Sequence, residues 1–138
     1  MPTKYRLSVY LDETYSILIS RVFGAMPGDE LCAEFIRAYQ EIGSPWLYDR
    51  LIDLRRYSGY TSREDMERFA AVWAEWTLDV PEGRRVAFVT HDAVELDRNL
   101  SQQSLYPKDT LRAFDTADEA LDWLTGQDEA VMPQARRA

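Results

Sequence analysis

The feature that most constrains this chain is a strict alternation near its start. From Lys4 to Asp12, Tyr5, Leu7, Val9 and Leu11 fall on one side and Lys4, Arg6, Ser8 and Asp12 on the other. A period of two is that of a strand with one face buried. Glu13 and Thr14 break the pattern, and Tyr15 to Phe23, rich in β-branched and aromatic residues, predicts a second strand. A break this short joins the two as an antiparallel hairpin.

Beyond the hairpin, helical and strand patterns alternate. Pro27-Gly28-Asp29-Glu30 opens a helix whose apolar residues, Leu31, Phe35, Ala38, Tyr39 and Ile42, recur at helical spacing until Gly43 and Pro45 stop it. Leu47 to Leu54 predicts the third strand and Arg55 to Tyr60 a loop. Thr61-Ser62-Arg63-Glu64 matches a capping box, opening a helix with an aromatic stripe of Phe69, Trp73 and Trp76, flanked by Met66 and Val72. Glu64 and Arg68 are spaced to pair on its outer side. Pro81 to Gly83 is a turn, Val86 to Val89 a covered central strand, and Asp92 to Leu105 a weakly amphipathic helix ended by Pro107. Leu111 to Phe114 predicts a fifth strand. Thr116 to Glu119 caps a last helix facing the core through Ala117, Ala120, Leu121 and Leu124, with Gly126 its stop. Strands separated by helices need crossover connections, so the later strands pair in parallel. The expectation is an α/β fold: a mixed five-stranded sheet, an opening hairpin followed by βα crossovers, and four helices.

Length and composition narrow the class. The chain has 138 residues, 46% of them hydrophobic, which suits one domain over residues 1–125 and a disordered tail over 126–138 that has no apolar period. With 24 acidic and 16 basic residues the net charge is −8, which disfavours nucleic acid as a partner. Cys32 and His91 are the sole residues of their kinds, which excludes an internal disulfide and zinc sites built from several Cys or His ligands. No metal or cofactor is expected. No apolar run approaches the roughly 20 residues of a transmembrane helix, and Met1 to Tyr5 lacks a signal-type apolar segment. The expected location is the cytoplasm.

Candidate functional residues cluster after the third strand. Arg55, Arg56, Tyr57 and Tyr60 place two guanidinium groups among aromatic rings, a grip for an anion or an acidic partner, or else a solvated loop. Thr61 and Ser62 suit an N-cap, and also a phosphoacceptor beside free helix amides; Ser58 has no capping duty. The stripe Phe69, Trp73 and Trp76 is core by default, though an exposed tryptophan would mark a partner surface or a homodimer. His91, at a strand's carboxyl end, has no nucleophile motif near it and reads as helix entry beside an Asp92 cap. Cys32 reads as a partly buried, inert thiol. Asp12, Asp53 and Asp92 could all lie at strand ends, as in a phosphate-accepting receiver domain. That arrangement needs a helix directly after the first strand, and Lys108 precedes the fifth strand.

Several strings resemble the SpoIIAA-like branch of the STAS superfamily, related to bacterial anti-sigma-factor antagonists. They are Arg21-Val22-Phe23-Gly24, Leu51-Ile52-Asp53-Leu54-Arg55, Val86-Ala87-Phe88-Val89, and the run from Phe114 to Leu124. Their order and spacing from Tyr5 to Leu124 carry the likeness. The resemblance implies a non-enzymatic regulatory or protein-interaction role. It also implies a phosphorylatable serine in the loop after strand three, where this chain has Ser58, Thr61 and Ser62. The Asp-Ser-Ser-Gly type of motif is absent; Ser58-Gly59 keeps its second half, preceded by Tyr57. That group is at times placed with the Sec14 lipid-binding fold, which implies an alternative: a carrier or sensor of a small apolar or lipid-like ligand held between the aromatic helix and the sheet.

Overall fold

The opening strands do form a hairpin, β1 (Arg6–Asp12) and β2 (Ile17–Gly24), paired antiparallel with Leu7 opposite Val22 and Val9 opposite Ser20. The computed structural model describes residues 4–126; of the tail expected over 126–138, all but Gly126 lies outside the described residues. There follow α1 (Gly28–Ile42), β3 (Asp49–Tyr57), α2 (Arg63–Trp76), β4 (Arg85–Val89), α3 (Ala93–Leu100), β5 (Thr110–Phe114) and α4 (Ala117–Thr125). Single 3-10 turns occupy Pro45–Leu47 and Ser101–Leu105.

The sheet order is β1-β2-β3-β4-β5, with every pair after the hairpin parallel. Each crossover therefore steps to the next strand in the same direction. Crossovers of one hand that all step one way must put their helices on one face. The packing agrees. Leu18, Val86, Phe88 and Leu111, all on one face, form a cluster with Tyr39 of α1 and Ala70 and Trp73 of α2. The intervening residues Ile17, Ile19, Leu51, Ala87 and Val89 pack on the other face against Ala120, Trp123 and Leu124 of α4. Three connections thus crowd one face, and α4 alone covers the other.

Four local expectations shift. Arg55, Arg56 and Tyr57 belong to β3 and not to a loop, and β3 starts at Asp49 because Pro45–Leu47 is a 3-10 turn. β2 runs on to Gly24 and keeps pairing through an irregularity, so that Phe23 faces Arg56 and Gly24 faces Tyr57. α1 covers one face of that end through Leu31 and Phe35, and the exposed Arg55 and Arg56 give β3 there its polar reading. The α2 cap is Ser62, reciprocated by Asp65, and not Thr61 with Glu64. Both registers exist in Thr61-Ser62-Arg63-Glu64-Asp65, and the Thr61 hydroxyl is engaged by Tyr57 Oη at 3.0 Å. The segment expected as a helix over Asp92–Leu105 is α3 capped by Asp92, then a 3-10 turn. In α4, Trp123 is buried together with Ala120 and Leu124, whereas Ala117 and Leu121, also expected to face the core, are only half-buried. The Glu64–Arg68 pair forms, at 3.5 Å.

Candidate functional site

Three helices laid over a five-stranded sheet do not close fully, and a chamber of about 100 Å³ remains beneath them. Its floor is the helical face of β3, β4 and β5, through Ile52, Phe88 and Leu111 among others. Its walls are α1, through Leu31, Phe35 and Tyr39, and α2, through Met66 and Phe69. Asn99 of α3 and Tyr106 close the far side. The helical spacing that builds these core stripes also builds the chamber lining.

A few polar groups interrupt the apolar wall. Arg50, buried in β3, donates to Asp109 Oδ2 at 3.0 Å, and its guanidinium lies 4.0 Å from the Trp73 ring centre. Asp109 also accepts from the Arg84 amide at 2.8 Å, so Arg50 is neutralised inside a held pair. Gln103 secures the adjoining corner, donating to the carbonyls of Tyr106 and Asp109 and accepting from the Leu111 amide. Burial pushes the Tyr106 phenol well above its ordinary pKa, and the Cys32 thiol upward for the same leading reason. Cys32 is therefore protonated at neutral pH and a poor nucleophile.

Three lining residues carry a buried polar atom without a hydrogen-bond partner among the described residues: Tyr39 Oη, Arg50 Nε and Asn99 Nδ2. Asn99 is otherwise engaged only through its Oδ1, which accepts from Gln102 at 3.5 Å. Ser20 Oγ shares the condition but is not in the lining. Leaving a buried donor unmade costs roughly 1–3 kcal/mol, so such groups call for a reason.

The residues expected to form a partner loop divide around this chamber. Tyr57 and Thr61 line it, their hydroxyls bonded to each other, and Tyr57 also donates to the Met26 carbonyl at 2.9 Å. Burial raises the Tyr57 phenol. Arg55, Arg56, Ser58 and Tyr60 are exposed. Ser62 is occupied as the α2 cap, which leaves Ser58 as the accessible hydroxyl of the three. Arg98 of α3 fastens the segment: it donates to the Thr61 carbonyl, and its guanidinium stacks 4.5 Å from the Tyr60 ring centre. The segment also sits tightly on the start of α1, where a Cβ on Gly28 would come within 2.7 Å of Thr61 Cα. Residues 57–61 and Arg98 thus form one wall between chamber and solvent.

Within the aromatic stripe Trp73 is buried, and Phe69 and Trp76 are half-buried. Trp73 is 5% exposed, Trp76 packs edge-on against it at 6.1 Å, and Phe69 faces the chamber. An exposed tryptophan patch on α2 does not fit Trp73. Sequence reasoning missed Arg50, Asn99, Tyr106, Asp109 and Gln103. The available signal was Arg50, a lone charge ahead of the apolar run Leu51-Ile52. His91 is outside the chamber lining; its Nδ1 lies 3.1 Å from Asp115 Oδ1, with both side chains mostly exposed. Asp53, Asp12 and Asp92 do not converge: Asp53 is held by Arg55, Asp12 caps the hairpin turn, and Asp92 caps α3. Among the described residues no group of three or more His, Cys, Asp or Glu side chains is placed to hold a metal ion, and no helix is long and apolar enough to cross a membrane.

A hairpin followed by three same-face crossovers is also the architecture of a protein of known structure. An uncharacterised DUF3478-family protein from Shewanella loihica PV-4, described as having a SpoIIAA-like fold, matches 90% of this chain over 98% of its own, with a TM-score of 0.58 and 17% sequence identity. The fold is SpoIIAA-like. No family profile and no curated protein matches the chain. The SpoIIAA-like sheet, with strands added in one direction only, has no point where strand order reverses. The usual crevice at the carboxyl ends of parallel strands is therefore missing, and the chamber lies under the helices instead.

Proposed function

We propose that this protein is a non-catalytic binding module that takes a small, mostly apolar molecule into the chamber beneath α1, α2 and α3. The 57–62 segment then presents the result to a protein partner in the cytoplasm. The observation that carries this reading is the coincidence of an apolar chamber with three partnerless buried polar atoms in its lining. Pockets with mostly apolar walls and a few convergent polar groups are the usual form of a small-molecule site.

The volume chooses among ligands. A cavity of about 150 Å³ accommodates the six heavy atoms of benzene, so about 100 Å³ suits a molecule no larger than that and not an acyl chain. A lipid carrier would need α1 and α2 to part. The protonated Cys32 thiol and the remote His91 support binding over catalysis. The exposed Arg55, Arg56, Ser58 and Tyr60 beside the wall support a partner surface that senses occupancy.

Titration with methylenecyclopentane, a hydrocarbon of the fitting size, tests the reading by NMR. The methyl resonances of Met66 and Leu31, which line the chamber, should shift together with the amides of Ser58 and Tyr60. Methyl resonances unmoved by this hydrocarbon and by the ketone of the same ring would overturn it.

A further inference from the structure

The partnerless polar atoms of the lining residues share one capacity, and that capacity describes the ligand. Arg50 Nε and Asn99 Nδ2 can only donate, and Tyr39 Oη can donate. Asp109, the acceptor bonded to Arg50, is already shared with the Arg84 amide. A molecule that satisfies this lining must therefore bring acceptors.

Charge then separates two kinds of acceptor. The Arg50 guanidinium is balanced by Asp109, both nearly inaccessible, so a carboxylate entering the chamber would be a third buried charge without a counter-charge. Asp65 and Glu95, also in the lining, would repel it further. A neutral carbonyl oxygen meets the donors and brings no charge.

We infer that the chamber selects a compact neutral molecule with a carbonyl acceptor on an apolar body, such as a small ketone, ester or amide, over both hydrocarbons and carboxylates. This rests on the reading of the chamber as a ligand site. It goes further in naming the ligand's chemistry from Tyr39, Arg50 and Asn99.

Three probes of matched size decide it: cyclopentanone, methylenecyclopentane (the same ring with CH2 in place of the oxygen) and cyclopropanecarboxylate. Dissociation constants would be measured by NMR on the wild-type chain and on Tyr39→Phe and Asn99→Leu. Both replacements remove a donor with little change in volume. The expected result is that cyclopropanecarboxylate binds most weakly, and that preference for the ketone over the hydrocarbon falls about tenfold in at least one variant, the worth of one good hydrogen bond. Tighter binding of the carboxylate overturns the inference. So does an unchanged ketone-to-hydrocarbon ratio in both variants, which would leave the ligand-site reading standing. Should neither neutral probe bind, the chamber holds water only, and the reading and the inference fall together. Two variants at separate positions keep the test open if one does not fold.

Discussion

The two faces of the sheet solve the same burial problem with different success. One helix, α4, seals its share: Trp123 and Leu124 pack on Ile19, Leu51 and Val89, and Phe114 meets the Trp123 ring at 5.6 Å. Three helical connections crowd the opposite face, carry more aromatic mass, and still leave a chamber with partnerless polar atoms. More covering does not mean tighter covering. Helices that follow successive strands of a twisted sheet splay apart, whereas a lone helix settles where it fits best. The better-filled face reads as scaffold, and the imperfect one holds the proposed binding chamber.

Matched truncations on the two faces give the largest effect. Trp123→Ala should cost about 4 kcal/mol in urea unfolding, in the usual range for a fully packed tryptophan. Phe69→Ala should cost less, about 2–3 kcal/mol, because a side chain bordering a void has forfeited contacts on that side already. Equal losses would erase the distinction between sealed and open faces.

The buried pair on the helical face comes next. Asp109→Ala leaves the Arg50 charge uncompensated and should cost about 3 kcal/mol. Adding Arg50→Met to that variant should restore much of the loss. If the double replacement is no better than the single one, Asp109 matters through its bond to the Arg84 amide and not through Arg50.

Asn99→Leu should move stability the other way. The side chain is 2% exposed with a partnerless amide nitrogen, so an apolar side chain of similar shape removes an unmet donor. A gain of about 1 kcal/mol is expected in thermal unfolding, accompanied by weaker ketone binding. A loss of stability would mean that the Asn99 amide is satisfied within the chamber in solution.

How much of this was legible in the sequence follows the same division. The hairpin, the crossovers and the parallel sheet could be read because Tyr5–Leu11 alternates and the α1 and α2 stripes repeat at helical spacing, patterns that one residue's error does not destroy. Strand β3 reads short because Arg55 and Arg56 are exposed where α4 does not reach, and an exposed strand end has the composition of a loop. The cap slipped by one residue because Thr61 and Ser62 each have an acid three positions on; what separates them is the tertiary contact from Tyr57 to Thr61. The chamber was the least legible. Arg50, Asn99 and Asp109 come from three distant segments, and whether a charged residue is buried depends on a partner 59 positions away.

The smallest effect belongs to the part of the sheet that α4 leaves open. There the outer faces of β1, β2 and β3 are covered by their own side chains: Arg6 over the Phe23 ring at 4.4 Å, Arg21 over Tyr10 at 5.6 Å, and Arg55 gripping Asp53. Burial works against the Asp53 carboxylate, but side-chain and backbone donors from Arg55 outweigh it and hold its pKa below the usual value. A depressed carboxyl stabilises the fold in its ionised form. That contribution is intact above about pH 4, the ordinary aspartate range, and is lost as pH falls below it through the depressed value. The Arg55 side chain is a third exposed, so the contribution should stay under about 1 kcal/mol. Urea midpoints for wild type and Asp53→Asn should therefore differ slightly at neutral pH and converge on acidification. A gap that persists at low pH would show that Asp53 acts through shape and not charge, and that the uncovered part of this face is held by packing in the same way as the part under α4.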